Sequence, residues 1–189
     1  MREKTLSGVI LAGGESKRMG QDKAFMLWRG KALYEWALAA LKPLCNEVFI
    51  SSNSDPELFG GQNVIADRFP GIGPIAGLES GLFHAANSSV IFVSCDTPLI
   101  SSDLFAYLLE KHTGYDISLA AHNGINEPMI GIYNKSVHEV FLKAIRSGLH
   151  KPPAVIRSAH WQDVNIFSNL NFFSHDLFLN LNRPEDLTK

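Results

Sequence analysis

The sequence has little that would support a disulfide framework, a metal cluster or a membrane span. Among its 189 residues are 2 cysteines, Cys45 and Cys95, and neither has the paired spacing of a metal site or a disulfide-rich domain. Its 7 histidines form no helical pair that could bind a metal ion. No apolar run approaches the roughly 18 residues that a membrane helix needs. We therefore expect a cytoplasmic protein that does not bind membranes.

The chain also lacks an excess of charge of either sign. The formal net charge is −2, which gives no general attraction to nucleic acid or to an anionic membrane surface. Any anionic ligand must therefore be bound by a local group of cations. With 46% hydrophobic residues, a chain of 189 residues can build one good core, so we expect a single domain over residues 1–189.

Two common nucleotide-binding signatures are missing or out of place. No Gly-Lys-Ser or Gly-Lys-Thr follows the first glycines, so the P-loop signature is absent. The spacing Gly71-x-Gly73-x-x-Ala76 matches the loose dinucleotide fingerprint, but residues 67–70 separate it from the preceding strand-like segment. The sequence also has no serine in the position of a nucleophile elbow. We therefore disfavour a P-loop NTPase, a Rossmann dehydrogenase and a serine hydrolase.

Strand-like and helix-like segments alternate along the chain. Continuous apolar strands between amphipathic helices are typical of an α/β fold with a mostly parallel sheet and helices on both faces, a Rossmann-like three-layer α/β/α architecture. The predicted strands are 6–12, 47–52, 63–65, 90–94, 116–121, 129–133, 162–166 and 178–182. The predicted helices are 32–44, 74–86, one capped by Ser102, 137–146 and one from Val155, with a last turn at 183–187. Ligands of such sheets bind at the carboxyl ends of the strands.

The first predicted strand leads into a segment with the composition of a phosphate-binding loop, LAGGESKRMGQDK at residues 11–23. From Gly13 to Lys23 it contains three glycines, two lysines and one arginine. Glycines let backbone N–H groups converge on an anion, and the cations add charge that backbone dipoles cannot supply. An ordinary glycine-rich turn with solvated charges has the same composition, so other parts of the chain must decide between the two.

A carboxylate follows the most apolar predicted strand, in the segment CDTPL at residues 95–99. Asp96 at the end of a buried strand would face the ligand edge of the sheet, where it suits a hard cation such as Mg²⁺. The alternative is an aspartate that only caps its own turn. Mg²⁺ commonly bridges phosphate oxygens while binding one or two protein carboxylates, so a phosphate-binding loop elsewhere in the chain favours the first interpretation.

These segments together resemble a known family. LAGG-x-S-x-RMG-x-DK at residues 11–23 is similar to the signature of nucleotidyltransferases that activate a phosphorylated small molecule with a nucleoside triphosphate. Residues 67–82, CDTPL and NLNRPEDL at 180–187 extend the match over nearly the whole chain and resemble the molybdenum cofactor guanylyltransferases. The resemblance implies a nucleotide-diphospho-sugar transferase-like fold. It also implies transfer of GMP from GTP to the terminal phosphate of Mo-molybdopterin, with release of pyrophosphate.

The resemblance also implies roles for individual residues. Asp96 would bind Mg²⁺, Lys23 would contact the α-phosphate, and Arg18 would hold the outgoing pyrophosphate. The implied nucleotide-binding residues are Leu11, Ala12, Gly13, Gly14, Lys23, Asn53, Asp67 and Asp96, and the acceptor-side candidates are Gly77, Asn180 and Asn182. A phosphate monoester is already an anionic nucleophile, so the reaction needs no general base. Implied partners include other molybdenum cofactor biosynthesis proteins or chaperones of apo-molybdoenzymes, and exclude nucleic acid.

Two segments depart from the family pattern, and both are expected on the acceptor side. Glu127-Pro128 stands where the family more often has His or Gln before Pro, and residues 148–153 lack the usual basic continuation. Two alternatives therefore stay open. One is a related nucleotidyltransferase with another nucleotide or acceptor, such as a cytidylyltransferase for molybdopterin or for a sugar or alcohol phosphate. The other is a non-catalytic nucleotide-binding module.

Overall fold

The computed structural model of the protein describes residues 5–13, 22–183 and 185–186. Its strands are β1 (Leu6–Leu11), β2 (Leu27–Trp28), β3 (Lys31–Ala32), β4 (Glu47–Ser51), β5 (Asn63–Ile65), β6 (Ser89–Ser94), β7 (Ile117–His122), β8 (Ile125–Asn134) and β9 (Trp161–Asn165). Its α-helices are α1 (Leu33–Leu41), α2 (Pro74–His84), α3 (Ser102–Lys111), α4 (His138–Arg146) and α5 (Pro152–Ile156). Short 3₁₀ turns cover Lys23–Phe25, Pro56–Phe59 and Lys135–Val137.

One seven-stranded sheet organises this part of the chain, in the order β5-β4-β1-β6-β8-β7-β9. Strand β8 pairs antiparallel with both β6 and β7, whereas the other neighbouring strands pair in parallel. The predicted mostly parallel α/β sheet is therefore confirmed. The carboxyl ends of β5, β4, β1 and β6 and the amino-terminal half of β8 consequently meet at one edge of the sheet.

Helices cover both faces of this sheet because the strands are apolar on both sides. In β1, Ile10 packs in the core beneath α1 and α3, while Val9 and Leu11 pack in the core beneath α2, α4 and α5. This alternation follows from the period of two along a strand, and a strand buried on both faces is therefore a continuous apolar run. The three-layer α/β/α prediction holds, and no described helix is long and apolar enough to cross a membrane.

Most predicted boundaries agree with the structure to within a few residues, but three of the predicted element starts need correction. Ser102 does not cap α3; it is the first residue of the helix, and Ser101 holds the cap position without a side-chain hydrogen bond. Strand β8 begins at Ile125, earlier than predicted, because a tight turn with Asn123 and Gly124 at positive φ joins it directly to β7. Helix α5 begins at Pro152, because proline is well tolerated in a first helical turn.

The predicted strand at 178–182 is absent. Apolar and polar residues alternate from Leu179 to Asn182, and of these Leu181 is buried while Asn180 and Asn182 are exposed. The segment instead makes a single backbone bond to the sheet side of the molecule, from the Leu181 N–H to the Asp96 carbonyl at 2.9 Å. Alternation of apolar and polar residues shows only that one face of a segment is buried, whereas a strand also needs a hydrogen-bonded neighbour along its length.

Candidate active site

A cleft of about 680 Å³ lies at the edge where the carboxyl ends of the strands meet. Five adjacent strands of the sheet contribute to its floor and walls, through the residues that follow β1, β4, β5 and β6 and through the first half of β8. The start of α2 closes one side. The residues lining it are Leu11, Ala12, Gly13, Asp22, Ser51, Ser52, Asn53, Ser54, Asp67, Gly71, Gly73, Pro74, Gly77, Ser94, Asp96, Thr97, Glu127, Met129, Ile130 and Asn180.

An ion pair between Lys23 and Asp96 lies at the middle strands of this edge. The Lys23 Nζ is 2.7 Å from the Asp96 Oδ2, although the two residues are 73 positions apart in the sequence. The same ammonium donates to the Asn182 Oδ1 at 2.6 Å, and the Ser94 hydroxyl donates to the Asp96 Oδ1 at 2.6 Å. Both side chains are mostly buried, with 13% and 16% of their surface exposed. Two of the three groups that the family resemblance assigns to catalysis therefore contact each other directly.

Two local features hold Lys23 and Asn182 in position beside Asp96. Asp22 caps the 3₁₀ turn Lys23–Phe25 by accepting from the Ala24 N–H at 3.0 Å, and its other oxygen accepts from the Ser54 hydroxyl. Leu181 is fully buried against Trp28 and Leu33 and anchors the segment that carries Asn180 and Asn182. The buried Leu181 side chain therefore holds the segment with Asn180 and Asn182 at the site.

Asn53 and Asp67 form a second cluster, at the ends of β4 and β5. The Asn53 Oδ1 accepts from the Asp67 backbone N–H, and the Asn53 Nδ2 donates to the Asp67 Oδ2, both at 3.0 Å. The Ser51 hydroxyl donates to the Asp67 Oδ1 at 3.2 Å. The Asp67 carboxylate is thereby held in one orientation, facing the cleft on the side opposite to β8.

Gly77 lines the cleft and is also required for packing. A Cβ at this position would lie 2.8 Å from the Leu11 Cδ2 and 2.9 Å from the Ser51 Oγ, so α2 could not approach β1 and β4 as closely. The helix begins after Gly73, whose φ of 83° lies in the left-handed region that glycine tolerates best. The interpretation of residues 71–77 as a glycine-rich entry to a helix at the ligand edge is consistent with this geometry.

The structure brings most of the sequence-predicted residues together. Those lining the cleft are Leu11, Ala12, Gly13, Asn53, Asp67, Gly77, Asp96 and Asn180. Lys23 and Asn182 join them through the contacts with Asp96 and with each other. Gly14 and Arg18 lie outside the described residues. The roles of all these residues in binding and catalysis stay predictions.

Several residues of the cleft were not predicted from the sequence. Ser94 could have been found, since it lies two positions before Asp96 at the same strand end, and Asp22 belongs to the glycine-rich signature itself. Met129 and Ile130 had no motif to mark them as ligand-binding residues, and Glu127 stood out only as a departure from the family pattern on the expected acceptor side. They enter the cleft because β8 lies beside β6, a pairing that local sequence does not reveal.

The adjacent Cys95 is buried and is no candidate nucleophile. Burial, with the Asp96 carboxylate as a smaller cause, raises the pKa of the Cys95 thiol to about 12. The side chain therefore stays protonated at neutral pH, and a thiolate is the reactive form of cysteine.

We accordingly expect Cys95 in the folded protein to resist alkylation by iodoacetamide from pH 7 to pH 9. Mass spectrometry of the digested protein would measure the modified fraction, and the unfolded protein in guanidinium is the control that should react quickly. Rapid modification of Cys95 in the native protein would contradict its assignment as a buried neutral thiol.

The donor groups at this edge fit a divalent cation that is shared with phosphates. Among the described residues that line the cleft, the charged ones are the carboxylates Asp22, Asp67, Asp96 and Glu127. The described residues contain no cluster of three or more His, Cys, Asp or Glu that could hold a metal ion alone. A single strand-end carboxylate such as Asp96 is nevertheless a usual protein ligand for Mg²⁺, which takes its remaining ligands from substrate phosphates and water.

The mostly parallel α/β/α sheet, whose described carboxyl edge carries four carboxylates and a lysine beside the central Asp96, defines a doubly wound α/β protein with a ligand site at that edge, the usual place for a nucleotide. The sequence matches the model of the MobA-like NTP transferase domain over residues 8–164. The chain therefore belongs to the MobA-like NTP transferase family.

Named relatives cover almost all of the chain. It is 36% identical to the probable molybdenum cofactor guanylyltransferase of Carboxydothermus hydrogenoformans, covering 97% of this chain and 94% of that protein. It is 35% identical to the molybdenum cofactor guanylyltransferase of Vibrio vulnificus, covering 97% and 93%. The crystal structure of molybdopterin-guanine dinucleotide biosynthesis protein A from Archaeoglobus fulgidus has a TM-score of 0.80, at 24% identity over 96% and 95% of the chains, and shows the same fold.

Proposed function

We propose that this protein is a molybdenum cofactor guanylyltransferase that transfers GMP from GTP to the terminal phosphate of Mo-molybdopterin and releases pyrophosphate. The observation that carries the proposal is the 36% and 35% identity to proteins of that name over 97% of the chain. The family match over residues 8–164 includes every strand end that lines the cleft. The proposal treats residues 1–189 as one nucleotidyltransferase domain.

The proposed reaction is an exchange of one phosphorus–oxygen bond for another. A terminal phosphate oxygen of molybdopterin forms a bond to the α-phosphorus of GTP, and the bond from that phosphorus to the oxygen bridging to the β-phosphate breaks. The leaving group is pyrophosphate, and the product is a dinucleotide joined by a pyrophosphate linkage. Because the attacking oxygen is already anionic, positioning and charge stabilisation account for catalysis.

The proposed roles of Lys23, Arg18 and Asp96 place positive charge where negative charge develops during the reaction. Lys23 donates hydrogen bonds to the α-phosphate, and Arg18 holds the outgoing pyrophosphate. Asp96 would hold a Mg²⁺ ion, which supplies charge neutralisation to the triphosphate oxygens when it is bound. Asn53 and Asp67 bind the nucleotide with residues 11–14, while Gly77, Asn180 and Asn182 contact the acceptor.

The Lys23–Asp96 ion pair gives these roles a physical basis. Four carboxylates line the described part of the cleft, and a bare triphosphate entering it would be repelled. Lys23 already neutralises Asp96, so little free energy is needed to keep the two side chains in place before the substrates bind. When GTP binds, Lys23 would give up the Asp96 oxygen for a phosphate oxygen, and Asp96 would then be free to hold a Mg²⁺ ion.

Nucleotide selectivity tests the first half of this proposal. With Mg²⁺ present, GTP should raise the midpoint of thermal unfolding more than CTP, ATP or UTP do. A ligand at about 100 times its Kd stabilises a protein by about 2.7 kcal/mol, which corresponds to about 5 °C or more for a chain of this length. Differential scanning fluorimetry measures the shift. A larger shift with CTP would instead support a cytidylyltransferase.

Pyrophosphate release in the presence of molybdopterin tests the second half. GTP with molybdopterin should release pyrophosphate, and either substrate alone should not. Binding of GTP without release with this acceptor or with sugar and alcohol phosphates would support a non-catalytic nucleotide-binding module. The assay also serves as the reference for the variants described below.

A further inference from the structure

Glu127 is a carboxylate in the half of the cleft that lies away from Asn53 and Asp67, two of the proposed nucleotide-binding residues. Strand β8 is four positions along the sheet from β5, which Asp67 follows. At the spacing of neighbouring strands, Glu127 is therefore about 19 Å from the strand end that carries Asp67. The two carboxylates are too far apart to contact the same ring of one nucleobase, so Glu127 faces a different part of the substrates.

A break in strand pairing directs this part of β8 into the cleft. Glu127 pairs with Ala120 of β7, but Gly131 pairs with the preceding residue Leu119, so residues 128–130 bulge out of the ladder. The buried Tyr133 hydroxyl donates to the Pro128 carbonyl at 2.5 Å and holds the bulge. Burial raises the pKa of Tyr133, which keeps this hydroxyl a donor. Bulges near active sites commonly re-aim side chains in this way.

The Glu127 carboxylate is held on one side and open on the other. Its Oε1 lies 3.2 Å from the His122 Nε2, and the His122 ring stacks on Phe178 with 4.1 Å between centroids and 5° between planes. Within the described ranges, Oε2 has no hydrogen-bond partner. About a third of the side chain, 32%, is exposed. The imidazole therefore fixes the carboxylate while leaving one oxygen directed to a ligand or to water.

The surroundings of Glu127 restrict what that ligand can be. A carboxylate accepts hydrogen bonds and donates none, and it repels phosphate, so its complement is a group with adjacent N–H donors. Met129, a half-buried residue two positions further along β8, gives the cleft apolar surface near it. A carboxylate near apolar surface suits a flat heterocycle whose edge presents two N–H groups.

Two parts of the proposed substrates have such an edge. Guanine and pterin both contain a 2-amino-4-oxopyrimidine ring, in which a ring N–H lies beside the amino group. Asn53 and Asp67, two of the proposed nucleotide-binding residues, occupy the other half of the cleft. The acceptor's pterin is therefore the ring that comes nearest to Glu127.

We propose that Glu127 determines acceptor specificity by accepting hydrogen bonds from the ring N–H and the 2-amino group of the acceptor's pterin. His122 acts as a positioning residue for the carboxylate. The proposal rests on the proposed function for the identity of the acceptor, but recognition of the 2-amino-4-oxopyrimidine edge can be measured without any turnover.

Binding of two small fluorescent heterocycles provides the first test. Pterin has the 2-amino group, whereas lumazine has a carbonyl in its place and would direct an oxygen at the carboxylate. With the protein saturated by Mg²⁺ and a non-hydrolysable GTP analogue, we expect pterin to bind at least tenfold more tightly than lumazine, as loss of a hydrogen bond to a charged group implies. In Glu127→Gln the difference should fall to within twofold.

The matched control is Glu110→Gln, because Glu110 is an exposed glutamate on α3 that pairs with its neighbour Lys111. This variant should keep the full preference for pterin.

His122→Phe retains a ring against Phe178 but removes the hydrogen bond, so we expect it to lose part of the preference. A thermal unfolding midpoint close to that of the wild type shows that Glu127→Gln is folded. If folded Glu127→Gln discriminates as the wild type does, the proposal is wrong, and if His122→Phe does so, His122 has no positioning role.

Steady-state kinetics distinguish whether Glu127 binds the pterin of the acceptor or the guanine of GTP, since the two rings have the same edge. Glu127→Gln should raise the KM for molybdopterin about tenfold and leave the KM for GTP within twofold. A raised KM for GTP, together with a lost preference for GTP over ITP, would assign Glu127 to guanine and overturn the proposal. If the wild-type protein does not transfer GMP to molybdopterin yet discriminates pterin from lumazine through Glu127, the proposed function fails and the recognition stands.

Discussion

Replacing Lys23 with alanine is expected to lower kcat for GTP-dependent pyrophosphate release by about 10² or more. Removing one preorganised donor from a developing negative charge typically costs 10²–10³ in rate. Lys23 is mostly buried and makes contacts at 2.7 Å with Asp96 and 2.6 Å with Asn182, so its position is defined before substrates bind. A continuous assay of pyrophosphate at saturating GTP and molybdopterin measures the change.

Two comparisons make this result specific to the charge at the site. Lys111→Ala removes an exposed lysine that pairs with Glu110 on α3, and it should retain wild-type turnover. Lys23→Ala also leaves Asp96 without its cationic partner, and an unpaired carboxylate that is mostly buried destabilises the fold. The double variant Lys23→Ala with Asp96→Ala removes both charges, so it should regain part of the lost stability while staying inactive. Turnover within threefold of the wild type in folded Lys23→Ala would remove Lys23 from the mechanism.

Replacing Asp96 with asparagine is expected to reduce activity by about 10² or more and to shift the dependence on Mg²⁺ to higher concentrations. The change removes one negative charge from the proposed metal ligand but keeps an oxygen that can accept from Ser94. The backbone bond from the Leu181 N–H to the carbonyl of residue 96 is unaffected. Initial rates over a series of Mg²⁺ concentrations, from micromolar to tens of millimolar, measure the effect.

The alternative role of Asp96, as a cap of its own turn, predicts a different result. In that case Asp96→Asn would lower the free energy of unfolding while the Mg²⁺ dependence stayed as in the wild type. Asp163→Asn is the matched control, because Asp163 is an exposed aspartate on β9 and does not line the cleft. An unchanged midpoint of the Mg²⁺ titration in folded Asp96→Asn would exclude this residue as the metal ligand.

Local pattern in the sequence was sufficient for most of the secondary structure. The apolar runs of β1, β5 and β6, and Pro74 at the start of α2, follow from preferences that act within a few residues. The same reasoning failed at residues 178–182, where leucine and asparagine alternate as in a strand but no strand of the described residues lies alongside. The same reasoning also predicted β8 too short, because the antiparallel pairing with β7 extends the strand beyond the apolar residues 129–133.

By itself the sequence determined the class of this protein: a mostly parallel α/β sheet, a glycine-rich cationic loop after β1, and an aspartate at the end of β6. These features depend on short-range periodicity and on residue chemistry, which can be read along the chain. Only the tertiary structure decided that Lys23 and Asp96 form an ion pair, that Leu181 anchors Asn182 beside them, and that Glu127 enters the same cleft. Those contacts join residues far apart in sequence, and they depend on the order of strands in the sheet and on the packing beneath it.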